Sequence, residues 1–250
     1  MKIAIPARFA SSRFPGKPLA LIIGKPMIEH VWRRAVVAAD SPADVVVATD
    51  DQRIADVVAG FGGNAVITRA DHENGSERLA ELADLMGLND DEIVVNVQGD
   101  EPLIDPALIR LVGKALAGHP SAGISTAADQ ITDAQALSDP GIVKVVTDKG
   151  GFAHYFSRAT IPHNREGGLD LEAYPYARHI GIYAYRAATL RLLATCAPAP
   201  TEQVEKLEQL RALWHGIKIY VAEYDGPPSI GVDVPGDIAL VEAILSENAQ

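Results

Sequence analysis

Four apolar runs of strand length mark the first half of the chain: KIAIP (2–6), DVVVAT (44–49), NAVIT (64–68) and EIVVNV (92–97). Each is short, largely β-branched and closed by a turn former or a polar residue, the pattern of a buried strand. Between them the spacing changes to a helical period. PMIEHVWRRAVVAA, DDQRIADVVAGFG and GSERLAELADLMG all read as helices, the first with Pro26 at its start. A further helix follows EIVVNV, from about Pro106 to Ala117. Strict strand–helix alternation predicts an α/β, Rossmann-like fold, a mostly parallel sheet flanked by helices on both faces. Ligands in such sheets bind beyond the carboxyl ends of the strands.

The second half is less regular. GISTAAD and IVKVVTD read as strands, and HIGIYAYR (179–186) alternates like an antiparallel one. The stretch SRATIPHNREGGLDLEAYPYAR is loop-rich. PTEQVEKLEQLRALWHG predicts one amphipathic helix, with Val204, Leu207, Leu210 and Trp214 on one face and Glu205, Glu208 and Gln209 off it. KIYVAEY then reads as a strand and PGDIALVEAILSE as a last helix. The chain reads as a single domain, 1–250, with an insert-like lobe from about 130 to 190.

Composition narrows the function classes. Hydrophobic residues are 48% and charged residues 22% of the 250, the balance of a globular protein. No apolar run approaches the ~18 residues that cross a bilayer, and MKIAIPARF has no long apolar core of a signal peptide. Cys196 is the sole cysteine and cannot form an internal disulfide, so a reducing cytoplasm is expected. A net charge of −11 argues against nucleic acid as partner. Yet the first 34 residues hold seven Lys or Arg against one acid, Glu29. A positive island on an acidic body predicts a small anionic ligand. Other signals fail. GFGGNA (60–65) fits a dinucleotide fingerprint but follows a helix and precedes a strand, the reverse of the required context. Neither GKP triplet makes a P-loop, and no H-E-x-x-H or cysteine cluster offers zinc.

The island centres on IPARFASSRFPGKPL (5–19), with Arg8, Arg13 and Lys17 and no acid. It follows the first strand directly, and its prolines restrict it. Three cations held close repel unless an anion lies among them, and a polyphosphate meets that demand. Two carboxylates reach the same sheet edge: Asp100, in QGDEP after EIVVNV, and Asp233, in IGVDVP. Hard oxygen donors from separate strands suit Mg2+, which keeps several waters. Asp50-Asp51 reads instead as a helix cap.

PARFASSRFPGKPL closely resembles the signature of the CMP-sugar synthetases, and among them of the 3-deoxy-manno-octulosonate (Kdo) cytidylyltransferases. TRADHENGSERLAE, VVNVQGDEPLI, VKVV, YFSRATIP, RHIGIYAYR, LEQLRALWHG and IGVDVPGDI resemble that family in the same order and cover nearly the whole chain. The resemblance implies a nucleotide-diphospho-sugar transferase (GT-A-like) fold with an inserted dimerisation and sugar-binding lobe, and a homodimer. It implies transfer of CMP from CTP to the anomeric hydroxyl of Kdo, releasing pyrophosphate, for lipopolysaccharide biosynthesis. Arg8, Arg13 and Lys17 would stabilise the phosphates, with Asp100 and Asp233 as Mg2+ ligands and Asp100 also catalytic. Pro6, Ala7, Arg69 and Ser76 would join Arg8, Arg13 and Lys17 around CTP, with Arg78 paired on its own helix. Gln98, Arg158, His179, Tyr183, Glu208 and Gln209 would hold the sugar acid, an Arg neutralising its carboxylate. The sequence departs from the family in two places: Val234 stands where Thr is common, and His163-Asn164 where Trp-Asp is common. The first raises the question of whether Asp233 must also cap the last helix. The second leaves an 8-amino analogue of Kdo, or another sugar acid, open as acceptor. A catalytically silent nucleotide-binding module would be marked by a missing carboxylate or loop cation, and none is missing. A D-x-D motif, expected of a glycosyltransferase, is absent where VQGDEP stands.

Overall fold

The computed structural model describes residues 1–10, 14–72, 74–167, 171 and 174–247. The first half builds β1 (Lys2–Ala7), a small hairpin of β2 (Leu21–Ile22) and β3 (Lys25–Pro26), α1 (Met27–Ala38), β4 (Val45–Thr49), α2 (Gln52–Gly60), β5 (Asn64–Ile67), α3 (Gly75–Leu85), β6 (Ile93–Asn96) and α4 (Pro106–Gly118). The second half adds β7 (Ile124–Gln130), α5 (Ala134–Ser138), β8 (Lys144–Thr147), β9 (Ala153–Ser157), β10 (Ala177–Arg186) and α6 (Ala187–Thr195). It closes with α7 (Pro200–Glu205), α8 (Gln209–Trp214), β11 (Ile219–Glu223) and α9 (Asp237–Glu247).

The main sheet runs β11-β7-β10-β6-β1-β4-β5, with β8 and β9 attached at the end of β10. β1 pairs in parallel with β4 and β6, β4 with β5, and β7 with β11. β10 lies antiparallel between β6 and β7, as the alternation in HIGIYAYR predicts. The side-chain period of two sends alternate residues of each strand to opposite layers. Ile3, Ile5, Val45, Val47 and Val95 pack under α1, α2 and α4. Ala4, Val46, Ala48 and Val94 face α3 and α6. Ile3 and Ile5 are fully buried, each side chain contributing roughly 1.5–3 kcal/mol.

A third, smaller cluster has a positional role. Ile22, Met27, Leu103, Val232 and Val241 bury one another, fixing the 230s loop and α9 against the turn after β6. Val232 N also donates to Asp100 O at 2.8 Å. Residues 133 apart in sequence, Asp100 and Asp233, are thereby brought to one edge of the molecule.

The single helix expected over 200–216 is instead two. α7 ends at Lys206, whose φ is 55°, and α8 starts at Gln209. Glu202 folds toward Arg211, which donates to both carboxylate oxygens at 3.0 and 2.7 Å. The break buries Leu207 and Leu210 and leaves Val204 and Trp214 84% and 59% exposed. A straight helix would have carried all four on one face. The 3.6-residue period is real in the sequence, but only half of that stripe has a core to meet. β9, α5 and α6 were not anticipated as regular elements.

Candidate functional site

The chain leaves β1 at Ala7 and enters the basic loop. Gly16 N donates to Phe9 O at 3.0 Å, and Gly16 adopts φ 71°, a conformation suited to glycine. The next residue, Lys17, opens a short 3-10 turn. On the opposite wall, the turn after β6 packs tightly on the end of β1. A Cβ on Gly99 would lie 2.8 Å from Pro6 O, so only glycine allows that approach.

Lys17 is the junction. Its Nζ donates to Asp100 Oδ2 at 2.6 Å and to Val232 O at 2.8 Å, and lies 3.9 Å from Asp233 Oδ1. The Lys17 side chain is 13% exposed, that of Asp233 61%. A largely shielded ammonium therefore lies between two carboxylates from distant segments, in direct contact with Asp100 and at longer range from the exposed Asp233. Asp237, the first residue of α9, holds the turn that leads into the helix. Its carboxylate accepts from the backbone N–H of Asp233 and of Val234, at 2.7 and 3.0 Å. The Asp233 carboxylate is turned toward Lys17 instead.

A cavity of about 220 Å³ opens beside this cluster, lined by Pro6, Ala7, Arg8, Lys17, Gly99 and Asp100, with His72 and Arg78 on the far wall. His72 Nε2 lies 2.5 Å from Glu81 Oε2, and bonds from His72 and from the Arg69 backbone hold the Glu81 carboxyl low against the opposing effect of burial. Arg78 does not pair on its own helix. It donates to Thr68 Oγ1 and to Asp50 Oδ2, at 2.5 and 3.1 Å, clamping α3 to the ends of β4 and β5. Asp51 caps α2, accepting from Arg53 N at 2.9 Å.

A second, deeper cavity of about 60 Å³ adjoins the first, sharing Asn74, Gly75 and Gln98 with it. Tyr183, Glu208 and Gln209 line it together with Ser76 and Asn96. Its character is different. Burial pushes the Tyr183 and Tyr185 hydroxyls well above the ordinary phenol range, so both stay protonated. Burial also raises the Glu208 carboxyl, which the surrounding protein desolvates although its surface reaches the cavity.

The residues expected to act together thus fall into three groups. Pro6, Ala7, Arg8, Lys17 and Asp100 meet in the outer cavity, with Asp233 at its rim. Gln98, Tyr183, Glu208, Gln209 and also Ser76 meet in the inner one. Arg69, Arg158 and His179 line neither. Arg69 pairs with Asp71 at 3.2 Å on the surface. Arg158 donates from Nε to Glu205 O at 2.8 Å and from Nη1 to Pro140 O at 3.0 Å. His179 sits behind the inner wall, its Nε2 3.0 Å from Thr126 Oγ1 and its ring against Phe156 and Tyr183. Burial drops its pKa to about 3, so the ring is neutral. Arg13 lies outside the described residues. Asn96, His72 and Arg211 line the cavities without having been singled out; for Asn96 the signal was a polar residue inside the apolar run EIVVNV.

Residues 3–219 match the family model described as cytidylyltransferase. A 3-deoxy-manno-octulosonate cytidylyltransferase of Pseudomonas fluorescens is 51% identical over 248 residues, 97% of each chain. One of Hahella chejuensis is 50% identical over 253 residues, 99% of this chain and 98% of its own. Among solved structures, a CMP:2-keto-3-deoxy-manno-octonic acid synthetase complexed with CTP superposes with a TM-score of 0.89 at 41% identity, covering 99% of this chain and 98% of that one. A cytidylyltransferase of Leptospira borgpetersenii, at 17% identity and a TM-score of 0.62 over 98% of this chain and 86% of its own, shares the fold. The chain belongs to the cytidylyltransferase family, and within it to the 3-deoxy-manno-octulosonate cytidylyltransferases.

Proposed function

We propose that the protein transfers CMP from CTP to the anomeric hydroxyl of Kdo, releasing pyrophosphate, with Mg2+ at Asp100 and Asp233. The observation that carries the metal assignment is the convergence of both carboxylates on one cationic position, the Lys17 ammonium. Hard oxygen donors from two segments suit Mg2+, which fills its remaining positions with water and substrate oxygens. When bound, Mg2+ would neutralise phosphate charge and polarise the attacked phosphorus.

The chain's own residues supply positioning and charge. Arg8 and Lys17 face the outer cavity, where guanidinium and ammonium can bind phosphate oxygens. Gln98 stands in both cavities, at the point where the two substrates would meet. One end of the sugar acid enters the inner cavity, where Tyr183, Glu208 and Gln209 bond its hydroxyls. The anomeric oxygen attacks the α-phosphorus, the bond to the β-phosphate oxygen breaks, and the hydroxyl proton passes to water. Holding the reactants in line and stabilising charge on the leaving pyrophosphate is the principal work of such a site. Arg158 serves this reading from a distance: with Ser157 it ties β9 to Glu205, three residues before Glu208. His179 buttresses Tyr183 in the same way.

The reading includes a cytoplasmic homodimer. The sole cysteine, Cys196, is free, and no helix among the described residues is long and apolar enough to cross a membrane. Pyrophosphate release with CTP, Kdo and Mg2+ tests the reaction, against UTP, the 8-amino analogue and a sialic acid. Release with CTP and Kdo that exceeds all others is expected; no release with Kdo overturns the reading.

A further inference from the structure

Buried polar atoms that lack a hydrogen-bond partner are rare, because each costs about 1–3 kcal/mol. Among the described residues four side-chain atoms are in this condition, and two of them, Asn96 Oδ1 and Gln209 Nε2, belong to walls of the inner cavity. Asn96 is 3% exposed and Gln209 9%. They come from opposite sides: Asn96 from the centre of the sheet on β6, paired directly with Tyr183 of β10, and Gln209 from the first residue of α8. One is an acceptor and the other a donor. A hydroxyl satisfies either, and a polyhydroxylated ligand satisfies both.

Side-chain alternation places Asn96 on the same face of its segment as Gln98, two residues on, and Gln98 reaches both cavities. The apolar neighbours Val94 and Val95 are buried at 1% and 0%; Asn96 is the polar exception, and its side chain bonds the buried Tyr185 hydroxyl while Oδ1 is left over. The exception at position 96 is therefore informative.

We infer that Asn96 is a further sugar-recognition residue, accepting through Oδ1 a hydrogen bond from a hydroxyl of the sugar acid and acting with Gln209. The inference rests on the inner cavity being the sugar subsite. It gives Oδ1, which has no protein partner, a hydroxyl donor in the complex. Selectivity follows, since an analogue lacking that hydroxyl leaves Oδ1 unpaired in the complex as well.

The test compares Asn96→Leu and Asn96→Ala with the wild type. The KM for Kdo should rise about tenfold, the equivalent of ~1.4 kcal/mol, while the KM for CTP stays within about twofold. With Kdo analogues each lacking one hydroxyl, one analogue should bind the wild type about tenfold more weakly yet bind Asn96→Ala as well as Kdo does. An unchanged KM for Kdo in both variants, or equal rises for Kdo and CTP, overturns the inference. If neither variant folds, crystals of the wild type with Kdo decide: a sugar hydroxyl within about 3.2 Å of Oδ1 supports it, and none within about 4 Å overturns it. Wild-type enzyme inactive with Kdo would instead sink the functional reading itself.

Discussion

The two adjoining cavities follow opposite electrostatic rules. The outer one is charged and open, built from Arg8, Lys17 and Asp100 with Asp233 at its rim. The inner one is small and largely desolvated, and there burial holds tyrosines protonated and raises a carboxyl. Charges that must appear and leave during reaction belong in the first. On the proposed reading, the neutral hydroxyls of the sugar are recognised in the second, where a hydrogen bond is worth more and a missing one costs more. The difference teaches where each mutation should register. Outer substitutions should act on turnover and on metal dependence, inner ones on the KM for the sugar.

The largest effect is expected at Asp100. Asp100→Asn should lower turnover by roughly 10²-fold or more, by analogy with other lost electrostatic groups, in pyrophosphate release measured across a Mg2+ titration. Near-normal turnover at saturating Mg2+ would remove Asp100 from the metal site. Lys17→Met should follow, lowering turnover by about 10-fold to 10²-fold. It should also strengthen Mn2+ binding by the nucleotide-free enzyme, read by electron paramagnetic resonance, because the ammonium no longer competes for the two carboxylates. Weaker Mn2+ binding would mean that Lys17 organises the carboxylates without competing for them.

Inside, Glu208→Gln should raise the KM for Kdo about tenfold with little change in the KM for CTP. The pH dependence sharpens the point. Because the Glu208 pKa is raised, protonation as pH falls reaches this carboxyl before an ordinary one. The wild-type KM for Kdo should therefore rise as pH drops toward the carboxylate range, and Glu208→Gln should lose that rise. A pH profile identical in both proteins would contradict it. A further effect concerns stability and leaves the reaction at neutral pH untouched. His179 titrates near 3 in the folded chain against 6.5 for the ordinary side chain, so the unfolded state binds the proton first. Its contribution is fully present above pH 6.5 and is lost as pH falls toward about 3. The loss is at most about 1.4 kcal/mol per pH unit, and His179→Gln should flatten that part of a denaturation–pH curve.

The outer cavity was far more legible in the sequence than the inner one. A loop with three cations and no acid, directly after a strand, can lie only at the carboxyl edge of the sheet, and QGDEP follows another strand to the same edge. Local order in the chain was enough. The inner cavity depends on what local order does not carry. Ser76 reaches it because α3 begins over the sheet between the two cavities. Glu208 and Gln209 reach it because the chain breaks at Lys206, and nothing in the 3.6-residue stripe announces a left-handed residue there. Arg158 is a guanidinium in the expected neighbourhood, yet two carbonyls claim it. Arg78 likewise crosses to Asp50 on another element. Long side chains choose partners by tertiary geometry, and sequence spacing does not fix that choice.

The most direct test of the account is anomalous diffraction from crystals grown with CTP and Mn2+. A manganese peak between the Asp100 and Asp233 carboxylates, with Lys17 Nζ turned onto phosphate oxygens, is the predicted result. Manganese held by the triphosphate alone, with Lys17 still bridging the two carboxylates, would contradict it.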